Sequence, residues 1–356
     1  MPIGPTLSNA EIAELLMRLE AEETGHRGRA LRGAARAGMF AWPQEAAAVV
    51  EEGGRLTDLW RVGPWVARTI EGYLADPPDV PDPPPARRGF LTRAEVVATL
   101  AGHDDWRTAV RADLQMHTTH SDGKATLREM AEASAALGYE YVGITDHSKG
   151  LPIARGMDEE RLARQAAEIA ALNRELEAAG LGPRVLHSIE MNLSPEGEGD
   201  MEPEALAQLD LVLGAFHSRL RLTEDQTDRY VAGVRNPQVD VLAHPRCRMY
   251  DRRVGLTADW GRVFEAAAEV DTAVEIDANT HRQDLDVELL RVARDAGVRI
   301  SIGTDAHSVR ELGFMEFGLA GAIRAGIPRE RVLNFQPVQD VLAWTASRRR
   351  ASSTST

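Results

Sequence analysis

Histidines and acidic residues recur at close spacing in this sequence, beginning with the stretch Asp113–Gly123 (DLQMHTTHSDG). Gln115 and His117 lie two residues apart there, so in a β-strand both side chains would lie on one face. Asp122 follows in what should be a loop at the carboxyl end of that strand. Imidazole and carboxylate groups that converge in this way suit a divalent metal ion such as Zn²⁺ or Mn²⁺. A single strand of this kind more often holds a packed or surface histidine, so the interpretation depends on the rest of the chain.

The same residue types follow a series of apolar segments further along the chain. Seven segments rich in β-branched residues begin with residues 112–117, and most are separated by amphipathic helical patterns. Strands that alternate with helices predict a parallel sheet, and seven units favour a closed or nearly closed barrel. All carboxyl ends of a parallel barrel lie at one face. The residues expected there are His117, Asp122, Asp146, His147, Glu190, His217, His244, Asn279, Asp305 and His307.

Ionisable residues at the ends of so many apolar strands are difficult to explain by packing alone. A buried ionisable group is costly unless it is paired or bound to a metal. The pattern therefore predicts a site for several metal ions. His120 is expected to face solvent. Structural roles are preferred for the histidines that do not follow a strand, namely His26, His103, His187 and His281.

Positively charged residues near the same loops could bind a phosphate group. Arg246 and Arg248 come directly after the His244-Pro245 pair, which makes them the first candidates. Arginine can contact phosphate oxygens in a bidentate manner, and lysine can do so as a point charge. Ordinary surface charge is an alternative explanation for each of them. The further candidates are Lys149, Arg155 and Arg219.

The composition limits the class of protein. The chain has 356 residues, of which 43% are hydrophobic, enough for a large core and for two or three domains. A net charge of −14 argues against a surface that binds nucleic acid everywhere, although it leaves room for a local basic face. Cys247 is the only cysteine, which is typical of a reducing compartment. Since neither a signal-peptide pattern nor a membrane-spanning stretch is found, we expect a soluble cytoplasmic protein.

The amino-terminal part of the chain, residues 1–75, is predicted to be a small all-α domain. Ser8 or Asn9 can cap its first helix. Within it, Gly53–Leu74 is predicted to form a helix, a tight turn that contains Gly63, and a second helix. The later segments are predicted to be a stiff proline-rich linker at 76–90, the barrel domain at 91–347 and a disordered tail at 348–356.

The motifs of the barrel segment resemble those of the PHP (polymerase and histidinol phosphatase) domain. The resemblance runs from Asp113 to about Trp344 and rests on DLQMHTTHSDG, GITDHS, AHP and GTDAHS, with SIEMN and GAFHS between them. It implies an α/β fold, a distorted seven-stranded (β/α)7 barrel that binds up to three metal ions. IARGMDEERLARQ and EIDANTHRQDLD resemble the PHP part of bacterial family X DNA polymerases. RALRGAARA, EEGGRLTDL and RTIEGYL resemble the helix-hairpin-helix domain of those polymerases, whose polymerase core has no counterpart here.

The resemblance implies which residues would hold the metal ions. Gln115 stands where the family pattern has a histidine, and its amide oxygen suits Mn²⁺ or Mg²⁺ better than Zn²⁺, so weak or partial occupancy is expected there. Asp146 would either orient His147 or bond within its own loop. We expect Mn²⁺ or Zn²⁺, with Mg²⁺ as a further option, and catalysis that depends on Glu190, Asp305 and His307. The three implied groups are His117 with Glu190 and Asp305, Asp122 with His147 and His307, and Glu190 with His217 and His244.

Clustered cations imply the hydrolysis of phosphoester bonds. Two cations about 3.5–4 Å apart can activate a water molecule and neutralise charge on the leaving oxygen. The leading hypothesis is an enzyme of DNA repair or processing that acts on DNA ends as a 3′-5′ exonuclease or 3′-phosphatase, without polymerase activity. The second is a phosphatase of a small phosphomonoester similar to histidinol phosphate. The third is a non-catalytic DNA-binding or scaffolding protein with a structural metal site.

Overall fold

The computed structural model describes residues 6–353, with side chains to residue 350. The chain divides into two compact units, the first ending at His103 and the second beginning at Asp104. Helices form the first unit, and no strand occurs among its described residues. These helices are α1 (Asn9–Glu20), α2 (Gly25–Phe40), α3 (Ala46–Glu51), α4 (Pro64–Ala75) and α5 (Arg93–Leu100).

The first helix begins where the sequence predicts. The Ser8 hydroxyl accepts a hydrogen bond from the backbone N–H of Glu11 at 3.3 Å, and the Glu11 carboxylate accepts one from the backbone N–H of Ser8 at 2.7 Å. Ile12, Leu15 and Leu16 then recur at helical spacing and are fully buried. This capped and amphipathic helix packs against α2.

The predicted helical hairpin is confirmed only in its second half. Helix α4 begins with Pro64 directly after Gly63, as expected. The segment Gly53–Leu59, however, is a loop with one 3₁₀ turn and not a helix. The preceding helix, α3, already ends at Glu51, and the left-handed backbone of Gly53 (φ 78°) turns the chain away from the helical path.

The proline-rich segment folds onto the helical unit, whereas the sequence predicts a stiff linker between domains. Arg87 donates hydrogen bonds to both carboxylate oxygens of Glu14 in α1, at 2.8 and 2.7 Å. Bidentate pairs of this kind are strong, and both side chains are largely buried. Arg18 also donates to the backbone oxygen of Asp79. Because α5 belongs to the same unit, the boundary lies near residue 103 instead of residue 90.

The second unit contains one sheet of seven parallel strands in sequence order. The ring is closed after the last strand by hydrogen bonds from the backbone N–H groups of His117 and Asp305, to the Ala306 and Gln115 oxygens respectively. This arrangement is the predicted nearly closed barrel. The strands are β1 (Ala112–Met116), β2 (Tyr141–Ile144), β3 (Arg184–Asn192), β4 (Leu211–Ala215), β5 (Val241–Leu242), β6 (Ala273–Asp277) and β7 (Ile300–Gly303).

Helices connect the strands and complete the core of this unit. Met130 and Ile169 pack against Ile144 of β2, and Trp344 packs in a second cluster with Leu114. None of the helices within residues 6–353 combines the length and the apolar character needed to cross a bilayer. The helices are α6 (Asp104–Ala109), α7 (Leu127–Ala136), α8 (Glu159–Ala178), α9 (Pro203–Leu206), α10 (Thr227–Arg235), α11 (Trp260–Glu269), α12 (Val287–Ala296), α13 (Met315–Ala325) and α14 (Val338–Ser353).

The end of the chain differs from the predicted disordered tail at 348–356. Helix α14 continues to Ser353, and residues 354–356 lie outside the described part. Arg349 donates to the buried Asp240 carboxylate at 2.9 Å, and Arg348 donates to the backbone oxygen of Val239 at 2.5 Å. These bonds to the barrel hold a segment whose small polar composition alone favours disorder.

Candidate metal centre

Glu190, at the carboxyl end of β3, lies among four histidines from four different parts of the barrel. Its Oε1 is 2.7 Å from His244 Nε2 and 3.1 Å from His217 Nε2. Its Oε2 is 3.1 Å from His147 Nδ1 and 3.4 Å from His117 Nε2. The carboxylate is therefore the shared element of the site. Every one of these residues was predicted from its place after a strand.

Two further acidic residues extend the cluster, the buried Asp305 and the partly exposed Asp122. Asp305 Oδ1 lies 3.1 Å from His117 Nε2. Asp122 Oδ1 lies 3.3 Å from His307 Nε2 and 3.6 Å from His147 Nε2. Three groups of possible ligand atoms result, each within 4.8 Å: His117, Asp122, His147 and His307; His147, Glu190 and His217; and His117, Glu190 and Asp305.

The loop after β1 is fixed by Asp146, which adjoins His147. The Asp146 carboxylate accepts hydrogen bonds from the backbone N–H and hydroxyl groups of Thr118 and Ser121, and from the side chain of Gln165. These partners lie in the loop after β1 and on α8, not in the loop of Asp146 itself, and His147 is not among them. A close approach completes the turn, since a Cβ at Gly123 would lie 2.6 Å from the His117 oxygen.

The donor set fits divalent cations. His117 Nδ1, His147 Nδ1 and Glu190 Oε2 are buried and form no hydrogen bond with the described residues. Buried polar atoms of this kind are costly unless a partner satisfies them. Imidazole and carboxylate ligands suit Zn²⁺ and Mn²⁺. Cys247 adds no thiolate, because burial raises its pKa to about 12 and its sulfur donates to the Phe216 backbone oxygen.

The charges of the cluster are strongly coupled. Burial opposes ionisation of Asp122, but its hydrogen bond with His307 and the nearby imidazoles lower its pKa to about 2. Burial would lower the pKa of His307, yet Asp122 and Asp305 raise it to about 10. Burial lowers the pKa of His147 to about 4. The carboxylates thus create a negative potential that stabilises a positive charge on His307. A site that binds cations requires the same negative potential.

Gln115 does not face the cluster in the way a metal ligand would. With its amide nitrogen turned toward β6, it donates to the Glu275 carboxylate at 2.5 and 2.8 Å. Glu275 also accepts a hydrogen bond from the backbone N–H of His244 at 2.8 Å. Strands β1 and β6 are not neighbours, so this contact crosses the barrel interior. Through Glu275, Gln115 is linked to the backbone of His244. This orientation does not support the predicted contact of Gln115 with a metal ion, which stays a prediction.

Arg282 is a residue of the site that sequence reasoning missed. Its Nε lies 3.3 Å from Asp305 Oδ2 and 3.5 Å from Asp277 Oδ2, so it neutralises the side of Asp305 that faces away from His117. Burial would lower the pKa of Arg282, but Asp305 and Asp277 raise it. The two acidic residues at alternating positions of the buried strand β6, Glu275 and Asp277, are the sequence signal for a buried partner.

The candidate phosphate-binding residues lie apart from the ligand cluster or are already paired. Arg246 and Arg248 each donate to Asp286 Oδ2 at 2.8 Å, and Arg248 is buried, so neither is free in the way its position after His244 suggests. Lys149 binds Glu159 at 2.7 Å. Arg155 is exposed. Two other polar residues also lie outside the ligand groups, since His120 Nε2 is 3.0 Å from Glu168 Oε2 and Asn279 accepts from the His281 N–H.

Comparison with known families gives a match within the barrel unit. A family profile described as PHP domain matches residues 113–284. Residues 113–284 form a PHP domain. All but two of the clustered ligand residues fall within this PHP domain, and Asp305 and His307 follow it in the chain.

Individual relatives of the PHP domain are of two kinds. The chain is 39% identical over 236 residues to the DNA polymerase/3′-5′ exonuclease PolX of Bacillus subtilis (strain 168), an alignment that covers 66% of this chain and 41% of PolX. It is 26% identical over 230 residues to the probable phosphatase YcdX of Escherichia coli (strain K12), covering 63% of this chain and 90% of YcdX. The crystal structure of histidinol phosphate phosphatase from Lactococcus lactis, complexed with Zn, L-histidinol and phosphate, matches with 15% identity and a TM-score of 0.44, covering 61% of this chain and 94% of that one.

Proposed function

We propose that this protein is a metal-dependent phosphoesterase that hydrolyses phosphoester bonds at DNA ends, as a 3′-5′ exonuclease or a 3′-phosphatase. The observation that carries the proposal is the convergence of Glu190 with four imidazoles and Asp305 at one end of the barrel. The choice of DNA is supported by the similarity to PolX, whose name includes a 3′-5′ exonuclease. This chain spans about 41% of the length of PolX.

The residues of the cluster have distinct tasks in this proposal. Bound divalent ions would supply a water of lowered pKa and positive charge for the phosphate oxygens. The residues that would hold them are His117, Asp122, His147, Glu190, His217, His244, Asp305 and His307.

Arg282 acts through Asp305 as a positioning residue. Its contact with Oδ2 leaves Oδ1 directed at His117 and therefore at the ligand cluster. Gln115 and Glu275 brace the opposite wall, since Glu275 also binds the backbone of His244. Partners that fix the orientation of ligands are a general requirement of metal sites.

Differences in exposure indicate where a substrate enters. The side chains of His117 and Glu190 are fully buried, whereas those of His307 and Asp122 are 26% and 35% exposed. A phosphate group would therefore approach along the pair formed by Asp122 and His307. Burial of the other ligands excludes water from the inner side of the site, which strengthens electrostatic interactions there.

A small phosphomonoester is the second candidate substrate. The relative YcdX, named a probable phosphatase, is covered over 90% of its length by this chain. Such a substrate needs one phosphate site only. The paired state of Arg246, Arg248 and Lys149 is compatible with recognition that depends mainly on the metal centre.

One set of assays separates these functions. The full chain is incubated with a labelled single-stranded oligonucleotide, with the same strand bearing a 3′-phosphate, and with p-nitrophenyl phosphate, each with Mn²⁺, Zn²⁺ or Mg²⁺. Ladder shortening or release of the 3′-phosphate supports the proposal. Phosphate release from the small ester alone supports the second candidate, and no hydrolysis of any substrate contradicts both.

A further inference from the structure

The loops that follow β4 and β5 together contain more arginines than acidic residues, although the chain as a whole carries a net charge of −14. Residues 216–226, after β4, contain Arg219 and Arg221 together with Glu224 and Asp225. Residues 244–255, after β5, contain four arginines and one aspartate. A local positive field in an acidic protein attracts anions to the place where it lies.

These basic loops are joined to each other and to the cluster of ligands. The thiol of Cys247, three residues after His244, donates to the backbone oxygen of Phe216, which precedes His217. Further along, the backbone N–H of Gln226 donates to the Thr257 oxygen at 2.8 Å. The two loops therefore form one continuous surface that starts at two of the Glu190-bound histidines.

Three arginines of this surface have side chains without an internal partner. Arg219, Arg221 and Arg252 are exposed, and none of them forms a side-chain hydrogen bond or ion pair with residues 6–350. Arg246 and Arg248 of the same loops are both paired with Asp286. The charge that remains available is thus on the outer part of the surface, beyond the metal centre.

The unpaired arginines lie close to further positive charge. Burial lowers the pKa of Arg229, and the nearby Arg219 lowers it further. Burial likewise lowers the pKa of Arg253, with Arg221 among the charges that add to the effect. Arg229 also keeps its Nε and Nη1 buried without a hydrogen bond. Positive charges that lie close together favour a ligand that brings several negative charges.

We propose that Arg219, Arg221 and Arg252 bind successive phosphates of a nucleic-acid strand whose reacting phosphoester lies at the metal centre. This inference rests on the proposed function and defines its substrate as a polyanionic strand. A phosphomonoester has one phosphate, which the metal centre would occupy, and would leave these arginines without a role. The backbone of a strand supplies a phosphate at every nucleotide and matches separate cations along a surface.

The backbone of Arg219 supports a role for its side chain. Arg219 has φ 52°, in the left-handed region, which is unfavourable for a residue that has a Cβ atom. Conformations of this kind persist where the surrounding structure requires them and cluster at binding sites. Glycine would adopt the same backbone at lower cost but would supply no charge.

The test compares Arg219→Gln/Arg221→Gln with the charge-matched control Arg174→Gln/Arg184→Gln. Arg174 is exposed on α8 and Arg184 is exposed at the start of β3, the end of the strand opposite to Glu190. Both pairs are made in an Asp305→Asn background, so that a fluorescent DNA single strand is bound without hydrolysis. Dissociation constants are measured by anisotropy across a series of salt concentrations.

Each phosphate contact to a single strand contributes about −0.7 to the slope of log binding constant against log salt. Losing two contacts should therefore reduce the slope by about 1.4 and weaken binding about 20-fold at about 0.1 M salt. The control pair should keep the parent slope. Arg219→Lys/Arg221→Lys should restore most of the slope, since lysine keeps the point charge. Restoration by lysine also shows that loss of binding is not loss of the fold.

Equal slopes for the test and control pairs would overturn the inference. It would also be overturned if, with Asp305 intact, the glutamine pair raised KM for p-nitrophenyl phosphate as much as for the strand, because the arginines would then act on the reacting group. The proposed function is judged separately by hydrolysis. If the chain binds the strand with this salt dependence but hydrolyses no phosphoester, the binding surface is supported and the proposed phosphoesterase activity is contradicted.

Discussion

Replacement of Arg282 by methionine tests the electrostatic design of the metal centre. Arg282 lies 3.3 Å from Asp305 and 3.5 Å from Asp277, and the side chains of both partners are buried. Removing one member of a buried ion pair leaves an uncompensated charge and typically costs about 3–5 kcal/mol. We therefore expect Arg282→Met to lower the free energy of unfolding of the metal-free protein by about 3–5 kcal/mol.

Metal ions should reverse part of this loss. A cation held by His117, Glu190 and Asp305 would replace the missing positive charge beside Asp305. By linkage, a variant that gains more from the cation must also bind it more tightly. The difference between Arg282→Met and the parent protein should therefore be smaller with saturating Mn²⁺ than with a chelator.

The assay is urea unfolding followed by circular dichroism, in chelator and in Mn²⁺. Arg235→Met provides the control, because Arg235 and Glu269 form a 2.8 Å pair whose side chains are 54% and 64% exposed. An exposed pair contributes only about 0–1 kcal/mol, with or without metal. The reasoning is refuted if Arg282→Met costs no more than Arg235→Met in chelator, or if Mn²⁺ leaves the cost unchanged.

Three further predictions concern single residues. Gln115→His tests the predicted metal contact at this position: an imidazole that turns away from Glu275 and toward His117 would raise Zn²⁺ affinity by at least about tenfold, and unchanged metal content by elemental analysis would contradict the contact. Asp305→Asn should lower kcat/KM by about a thousandfold (~4 kcal/mol) while circular dichroism shows an intact fold, and activity near the parent level would exclude Asp305 from the site. Burial raises the pKa of Asp113 to about 7, although hydrogen bonds from Thr304 oppose the shift. The neutral Asp113 side chain stabilises the folded state fully below about pH 4, and this contribution is lost as the pH rises through 7. Because asparagine stays neutral, the free energy of unfolding of Asp113→Asn should rise relative to that of the parent protein by about 1.4 kcal/mol per pH unit across that range. Parallel stability curves in chelator would contradict it.

The positions of the ligand residues could be predicted from sequence because two periodic patterns fix them. Strand-helix alternation requires parallel strands, and parallel strands place the residues that follow them at one face. Glu190 and His217, although 27 positions apart, follow neighbouring strands and meet at 3.1 Å. Because these residues are histidines and carboxylates, the sequence also predicts that they bind divalent metal ions.

Side-chain direction and pairing could not be predicted in the same way. Gln115 has the right position for a ligand, but its direction is set by Glu275, a residue on a distant strand. Arg246 and Arg248 follow His244 directly, yet Asp286 at the start of α12 binds both. Partners that are far away in sequence decide these cases, and residue type alone does not reveal them.

The proline-rich segment is a further example. Its composition favours an extended backbone, and the structure adds a 3₁₀ turn at Pro85–Arg87. Composition does not specify what such a segment packs against. Arg87 and Glu14, 73 positions apart, form the ion pair that holds the segment on the helical unit. Similarly, Arg349 binds Asp240 and extends order into the predicted tail.

The central claim is that the residues around Glu190 bind divalent ions together, and the number of ions bound per chain tests it most directly. The full chain and Glu190→Gln are stripped with chelator, dialysed against Mn²⁺ and measured by elemental analysis. Because Glu190 contacts four imidazoles and belongs to two of the three ligand groups, we predict about two or three ions in the parent chain and at least one fewer in Glu190→Gln. A parent chain that retains less than one ion, or a Glu190→Gln variant that retains as many as the parent, would contradict the account.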